Sequence, residues 1–233
     1  MPHRAEQAAA YVLHSRPYRE TSLLVDLFTL EYGRISVVAR GARRSGSVRR
    51  FALQPFQPIH VNWTGRHELK NLSHAEVPQV MAPPQGKSLL CGLYANELLQ
   101  RLLQPADPHP RLYLYYTYLL RELLSSEDLE GALRTFERQL LESLGYGLAL
   151  SQCEAQTFYH YDPKRGFYPA TDASGTSPPA YLGAWLLAMA EDRYDQVEVK
   201  RASKRLMRDA LSFLLGDKPL KSRELFMNTR RTA

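Results

Sequence analysis

The sequence predicts an α+β chain in which a small five-stranded β-barrel precedes a mainly helical region, and three observations carry that prediction. Apolar residues recur with period two up to about residue 80 and with helical spacing after it, and Met81-Ala82-Pro83-Pro84-Gln85-Gly86 punctuates the change. The first 80 residues hold five short apolar runs joined by tight turns and one long basic loop. Charge divides the same way: residues 1–80 carry 11 Lys and Arg against 6 Asp and Glu, residues 81–199 carry 9 against 15, and residues 200–233 carry 10 against 3, for net charges of +5, −6 and +7. Two basic ends flanking an acidic middle suit a polyanion held by the ends, with the middle left for another task.

The first strand is read over Ala8–His14, followed by the Arg16-Pro17-Tyr18-Arg19-Glu20 loop. Leu23, Val25 and Leu27 alternate along a second strand, Glu31-Tyr32-Gly33 turns the chain, and Ile35, Val37 and Ala39 alternate along a third. Gly33 supplies the positive φ that such a turn often needs. From Arg40 to Arg50 the chain carries five arginines and two glycines with no acid, which predicts a mobile cationic loop held on a rigid sheet. A guanidinium stays charged at physiological pH and forks onto phosphate oxygens. Phe51 to Pro58 forms a proline-punctuated bend; Ile59, Val61 and Trp63 alternate in a fourth strand, and Leu69–Ala75 makes a fifth. Five such strands match a barrel of the oligonucleotide-binding type, whose loops and face contact nucleic acid. Of the aromatics Phe28, Tyr32, Phe51, Phe56 and Trp63, most are expected to fill the barrel, with Tyr32 in its turn the candidate for base stacking.

Beyond residue 80, Leu89, Leu90, Leu93, Tyr94, Leu98 and Leu102 follow helical spacing to a break at Gln104–Pro110, and Leu112–Leu124 starts a second helix that is apolar on most sides. Ser126 is placed to cap a third helix running to Tyr146, with Leu133, Phe136, Leu140, Leu141 and Leu144 on one face and Arg134 and Arg138 on its flank. An arginine beside an apolar groove suits a short peptide ending in a hydrophobic residue and a carboxylate, although an ordinary helix flank has the same pattern. Aromatic alternation over Thr157–Tyr168 around Asp162-Pro163-Lys164-Arg165-Gly166 predicts a hairpin excursion within about 153–170, and Ser177-Pro178 the start of another helix. Basic C-terminal helices are expected over 197–227, the last starting near Ser222, so that the domains read as 1–80 and 81–233.

Other classes are disfavoured by what the residues lack. No run approaches the roughly 20 apolar residues of a membrane span, and no signal-like segment follows Met1, so the protein is read as cytoplasmic and nucleoid-associated. Cys91 and Cys153 are too few for a disulfide framework or a four-thiolate metal site, and no cofactor or metal is expected. There is no phosphate-binding GxxxxGK[ST] loop and no clustered triad, so a non-enzymatic binding or annealing module is expected. The alternative is an adaptor that binds acidic protein tails and touches DNA only incidentally.

Taken in order, the strings Val12–Tyr18 with Glu20–Leu23, Val38–Arg43, Leu53–Phe56, Gly92-Leu93-Tyr94 with Asn96–Leu99, Leu144–Gly147 and Lys218–Phe226 make the chain similar to the bacterial recombination mediator family RecO. The resemblance implies an oligonucleotide-binding barrel followed by a helical domain. It implies a protein that binds single- and double-stranded DNA, anneals complementary strands and helps load the RecA recombinase, acting with RecR on DNA covered by single-strand-binding protein, whose acidic tail docks on the helical domain. Some members carry a four-cysteine zinc site near the position of Cys153, which this chain lacks. The family's docking arginine falls at Arg134, with Phe136 and Arg138 beside it. The DNA track then comprises Arg34, Arg40, Arg43, Arg44, Arg49 and Arg50, joined by Lys204, Arg205, Lys218, Lys221 and Arg223.

Overall fold

The N-terminal half is wound on one long strand, β1 (Arg4–Tyr18), in a computed structural model that describes residues 3–125, 128–170 and 180–225. At 15 residues β1 is about twice the expected span because it serves two neighbours: its first part pairs antiparallel with β4 (Pro58–Thr64) and its second with β2 (Ser22–Thr29). Two register shifts, between Ala5 and Ala8 and between Val12 and His14, let it do so, since a bulge bends a strand and raises its twist. The first is marked by Gln7 at φ 51°, whose N–H donates to Asn62 Oδ1 at 2.8 Å. Antiparallel pairing continues from β2 to β3 (Gly33–Ala39), and from β4 to β5 (Lys70–Glu76). A short parallel contact, Val37 with Lys70 and Val38 with Asn71, closes the barrel in the order β1-β2-β3-β5-β4.

The alternation read from the sequence is what fills this barrel. Val12, Val25, Leu27, Val37, Val61 and Trp63 are wholly buried in one cluster, because successive strand residues face opposite sides and these share the inner one. Gly33 has φ 68°, and a Cβ there would lie 2.0 Å from Asp107 O. The segment that follows the helix Gly86–Leu102 is laid directly on β3, with Ala106 N–H donating to Arg34 O at 2.9 Å. Only glycine satisfies both the turn and that approach.

The long basic loop is more ordered than the sequence suggests. Arg44 N–H donates to Gly41 O, Ser47 N–H to Arg44 O, and Arg50 N–H to Ser47 O, so the loop is a chain of turns feeding a short helix α1 (Val48–Ala52). These turns satisfy backbone groups locally and give the arginines fixed attachment points.

Helices α2 (Gly86–Leu102) and α3 (Pro110–Ser125) belong to the same compact unit as the barrel, which comprises residues 1–126 and 219–233. The second unit is residues 127–218. The change of period near residue 80 thus marks the end of the barrel, whereas the compact units divide after the second long helix. The reason is a buried polar and aromatic seam. Asn96 Nδ2 donates to Val12 O and Leu13 O at 3.4 and 3.1 Å and its Oδ1 accepts from Tyr116 OH at 2.5 Å, while Tyr113 and Tyr116 pack on Tyr11 and Phe28. At Gly92 a Cβ would come within 2.7 Å of the Phe56 ring, so α2 lies against the barrel as closely as a glycine allows.

In the second unit, α4 (Leu129–Ser143) starts on Asp128, whose Oδ1 accepts from Gly131 N–H at 3.2 Å; the expected cap, Ser126, lies outside the described residues. A single 3-10 turn (Leu150–Gln152) leads to a three-stranded sheet of β6 (Phe158–Asp162), β7 (Gly166–Pro169) and β8 (Tyr181–Leu182) in the order β7-β6-β8. Helices α5 (Gly183–Ala190) and α6 (Val197–Leu215) complete it. The helix start expected at Ser177-Pro178 lies outside the described residues. The chain then returns to the first unit, where the Glu97 carboxylate accepts from Lys221 N–H, Ser222 N–H and Ser222 Oγ at 2.9, 2.9 and 2.7 Å and starts the last described helical turn. Burial pushes the Glu97 carboxyl up, but these hydrogen bonds and Arg101 outweigh it and hold the group below the usual carboxylate range. Among the described residues no helix is long and apolar enough to cross a membrane.

Candidate nucleic-acid interface

Where β1 turns into β2, where β3 ends and where β5 begins, the barrel rim encloses a groove of about 600 Å³. Arg19, Arg40 and Arg44 line it together with Thr21, Ser22 and Asn71, and no Asp or Glu is among its lining residues. Three guanidiniums without a carboxylate make a strongly anion-attracting hollow. Each is held by its own local device. Arg40 donates from Nη2 to Asn71 Oδ1 at 3.2 Å across the groove. Arg19 sits in a left-handed turn at φ 51° with its guanidinium 5.3 Å from the Tyr18 ring centroid. Arg44 runs its stem past Gly41, whose φ of 70° sets the turn that leads to it.

Lys70 also lines the groove yet is wholly buried, its Nζ donating to Gly65 O at 3.1 Å. It alternates with exposed Asn71 and shares the side of buried Leu72, so its stem follows the barrel interior and its charge adds to the positive rim from beneath.

The remaining barrel arginines have other duties. Arg43 is exposed but donates from Nη1 to Arg19 O and Glu20 O at 3.2 and 3.0 Å, and its own N–H donates to Thr21 O at 2.9 Å. It clamps the β1–β2 turn to the basic turns, and so shapes the groove it was expected to serve directly. Arg34 is half-buried with Nε donating to Leu103 O at 3.1 Å, an internal staple. Arg50 is exposed on α1, and the Arg49 side chain lies outside what is described.

Tyr32 is not presented for stacking, a correction to the sequence reading. Its ring meets Trp63 edge-on at 5.1 Å and packs against the barrel cluster, because the turn folds inward over the open end of the barrel. Phe51, beside Arg50 on α1, is instead exposed to 56%. Phe28, Phe56 and Trp63 are core.

The proposed peptide-docking residues on α4 are likewise placed differently. Phe136 is fully buried and offers nothing to a partner, since it faces the interior of the second unit. The Arg134 side chain is 12% exposed, with Nη1 2.6 Å from Glu137 Oε2, which is itself 1% exposed. That contact is an ion pair whose alignment falls short of a hydrogen bond, Glu137 Oε2 having none. Arg138 forks onto Asp192, Nη2 to Oδ2 at 2.7 Å and Nε to Oδ1 at 3.3 Å, with Thr135 Oγ1 donating to the same carboxylate at 2.9 Å. Desolvation works against the Arg138 charge, and the Asp192 hydrogen bond and charge more than restore it. In this arrangement α4 shows no open arginine beside an apolar groove.

Of the C-terminal cations, Lys204, Arg205 and Lys218 belong to the second unit and Lys221 and Arg223 to the first. Lys204 is exposed on α6, whereas Arg205 lies 4.1 Å over the Tyr181 ring and donates to Ala180 O at 3.1 Å. Lys218 and Lys221 are exposed, and Arg223 is half-buried 6.0 Å from the Tyr94 ring centroid. Among the described residues no group of three or more His, Cys, Asp or Glu is placed to hold a metal ion.

What sequence reasoning missed was Arg19, Lys70 and Phe51. The first two stand in turns or strands away from the basic run, and only the parallel closure of β3 on β5 brings Arg40 beside Asn71.

Two family models match nearly the whole chain. Recombination protein O N terminal covers residues 3–81, and Recombination protein O C terminal covers residues 83–224. The chain is similar to the DNA repair protein RecO of Methylococcus capsulatus, 46% identical over 232 residues that span 98% of this chain and 96% of that protein. It is also similar to the DNA repair proteins RecO of Burkholderia pseudomallei, 41% identical over 97% of this chain and 84% of that protein, and of Photobacterium profundum, 41% identical over 95% of each.

Proposed function

The chain belongs to the recombination protein O family, and from that premise we propose a DNA repair mediator that binds single- and double-stranded DNA on its barrel rim and anneals complementary strands. The observation that carries this reading is the acid-free groove in which Arg19, Arg40 and Arg44 converge. Phosphates drawn into it release condensed counterions, which supplies affinity without regard to sequence. Exposed Phe51 beside Arg50 adds a ring on which a base can stack.

The mechanism is non-covalent. Cations on the rim lower the repulsion between two approaching strands, and base pairing between those strands then reads the sequence. The groove needs no general base, nucleophile or metal for this. Helping to load RecA, acting with RecR and receiving the tail of single-strand-binding protein are the partner roles that family membership suggests, in a cytoplasmic protein that meets the nucleoid. Half-buried and ion-paired, Arg134 and Arg138 weigh against a pure acidic-tail adaptor.

The test is annealing of complementary oligonucleotides, naked or coated with the cognate single-strand-binding protein, by wild type and by Arg40→Glu/Arg44→Glu. The double variant is expected to lose annealing on both substrates, by at least about tenfold for two lost phosphate contacts. Coating with a single-strand-binding protein that lacks its C-terminal tail should slow the wild type on coated DNA alone. Wild-type rates from the double variant would overturn the groove assignment.

A further inference from the structure

The hairpin sheet of the second unit has one face against the unit's interior and one face toward solvent, and both are aromatic. On the inner face Tyr159 and Tyr181 are buried, and Phe167 packs against Tyr161 at 5.1 Å and Tyr181 at 6.4 Å. The outer face is set by the register. His160 lies opposite Tyr168, and Phe158 comes two residues before His160 on the same side. Phe158 is 51% and Tyr168 40% exposed, and the His160 and Tyr168 rings lie 5.7 Å apart.

Rings of this size left in water on a three-stranded sheet are costly unless something covers them, and the charge around them says what. Arg165 extends its guanidinium to 5.7 Å from the Tyr168 ring centroid, and Lys164 beside it is exposed. The one acid of the turn, Asp162, accepts at Oδ1 from the Lys164 and Arg165 backbone N–H groups at 2.8 and 2.9 Å, which fixes the turn. This is a basic tip on a segment, residues 81–199, whose net charge as a whole is −6. A flat row of aromatic rings with cations at its end complements an unstacked nucleic acid strand, whose bases present π-faces and whose phosphates present charge.

We propose that the outer hairpin face, Phe158, His160 and Tyr168 with Lys164 and Arg165, is a second single-stranded nucleic-acid contact, separate from the barrel groove and reading bases by stacking. It rests on the DNA-binding reading above and deepens it, because annealing requires two strands to be held and the groove accounts for one. The face is indifferent to sequence, since every base has a π-face.

The test uses the full chain and a short oligothymidylate carrying 5-iododeoxyuridine, which photocrosslinks to stacked aromatic side chains. Crosslinks mapped to Phe158 or Tyr168 are expected. Phe158→Ala/Tyr168→Ala, on an exposed face, should keep the wild-type melting temperature and lose about five- to a hundredfold in affinity for oligothymidylate, the span of one stacked base, while binding an abasic strand of equal length as the wild type does. Crosslinks confined to the barrel, with unchanged oligothymidylate affinity in the variant, would overturn the proposal while leaving the groove intact. A shift from dimer to monomer in the variant with unchanged DNA affinity would show the face to be a contact between copies and overturn it as well. Absence of any wild-type binding would instead sink the DNA-binding reading itself.

Discussion

Arginines on the barrel rim and arginines on α4 look alike in sequence and end in opposite states. Arg40 and Arg44 are exposed around a hollow with no carboxylate, whereas Arg134 and Arg138 are 12% and 16% exposed and ion-paired. The difference lies in their neighbours. Glu137 stands three residues from Arg134 on the same helix, and Asp192 is brought to Arg138 from the end of α5, so α4 neutralises its own charge. The rim has no acid within the basic run, and its glycine-led turns keep the side chains apart. A guanidinium is thus a potential contact, and whether it stays open to a partner depends on the carboxylates that folding delivers.

The largest expected effect comes from breaking the pair on α4. Glu137→Ala leaves the half-buried Arg134 without its carboxylate, and should cost about 3 kcal/mol in urea unfolding, the low end for breaking a buried pair because Arg134 keeps some contact with solvent. Replacing both partners, Arg134→Met/Glu137→Met, should restore most of that loss, because an apolar pair of similar volume avoids desolvating two charges. If the double variant were as unstable as the single, the pair would be doing something other than compensating charge.

A smaller effect separates clamp from contact on the rim. Arg43→Ala removes hydrogen bonds that join the two turns around the groove, and it should lower stability by about 1 kcal/mol, an exposed charge-assisted hydrogen bond being discounted for solvent. DNA affinity should fall less than in Arg44→Ala, since Arg43 spends Nη1 on the Arg19 and Glu20 carbonyls. Equal losses from both alanine variants would return Arg43 to the phosphate contacts.

The smallest effect is on pH dependence. Glu97 has its folded pKa held down, so its contribution is complete above the ordinary value of 4.5 and is lost as pH falls through the lower folded value. The protection factors of the Lys221 and Ser222 amides should therefore fall selectively below about pH 4.5, and Glu97→Gln should show reduced protection there at neutral pH.

Much of the barrel was legible because its core is written with period two: Val25, Leu27, Ile35, Val37, Ile59, Val61 and Trp63 are all buried as that alternation requires. The true length of β1 was not, since the bulge at Gln7 breaks the alternation just where Arg4 to Gln7 would extend it. Nor was the grouping of α2 and α3 with the barrel, which depends on Asn96, itself held by Tyr116 OH, meeting the Val12 and Leu13 carbonyls 84 and 83 residues away. The basic run was visible as charge. Its division into groove arginines, a clamp at Arg43 and a staple at Arg34 was not, because carbonyl acceptors leave no trace in a sequence. Tyr32 was misplaced for a related reason: a turn reads as exposed, and only the open barrel end beneath it turns the ring inward onto Trp63.

If the acid-free groove of the rim neutralises phosphates, single-strand binding must weaken steeply with salt. Wild type and Arg40→Glu/Arg44→Glu would be titrated with one oligonucleotide across a range of salt concentrations. The wild type should give a steep line in log affinity against log salt, and the variant a line shallower by about 1.4, at about 0.7 per lost phosphate contact. Parallel lines, or a flat wild-type response, would contradict it.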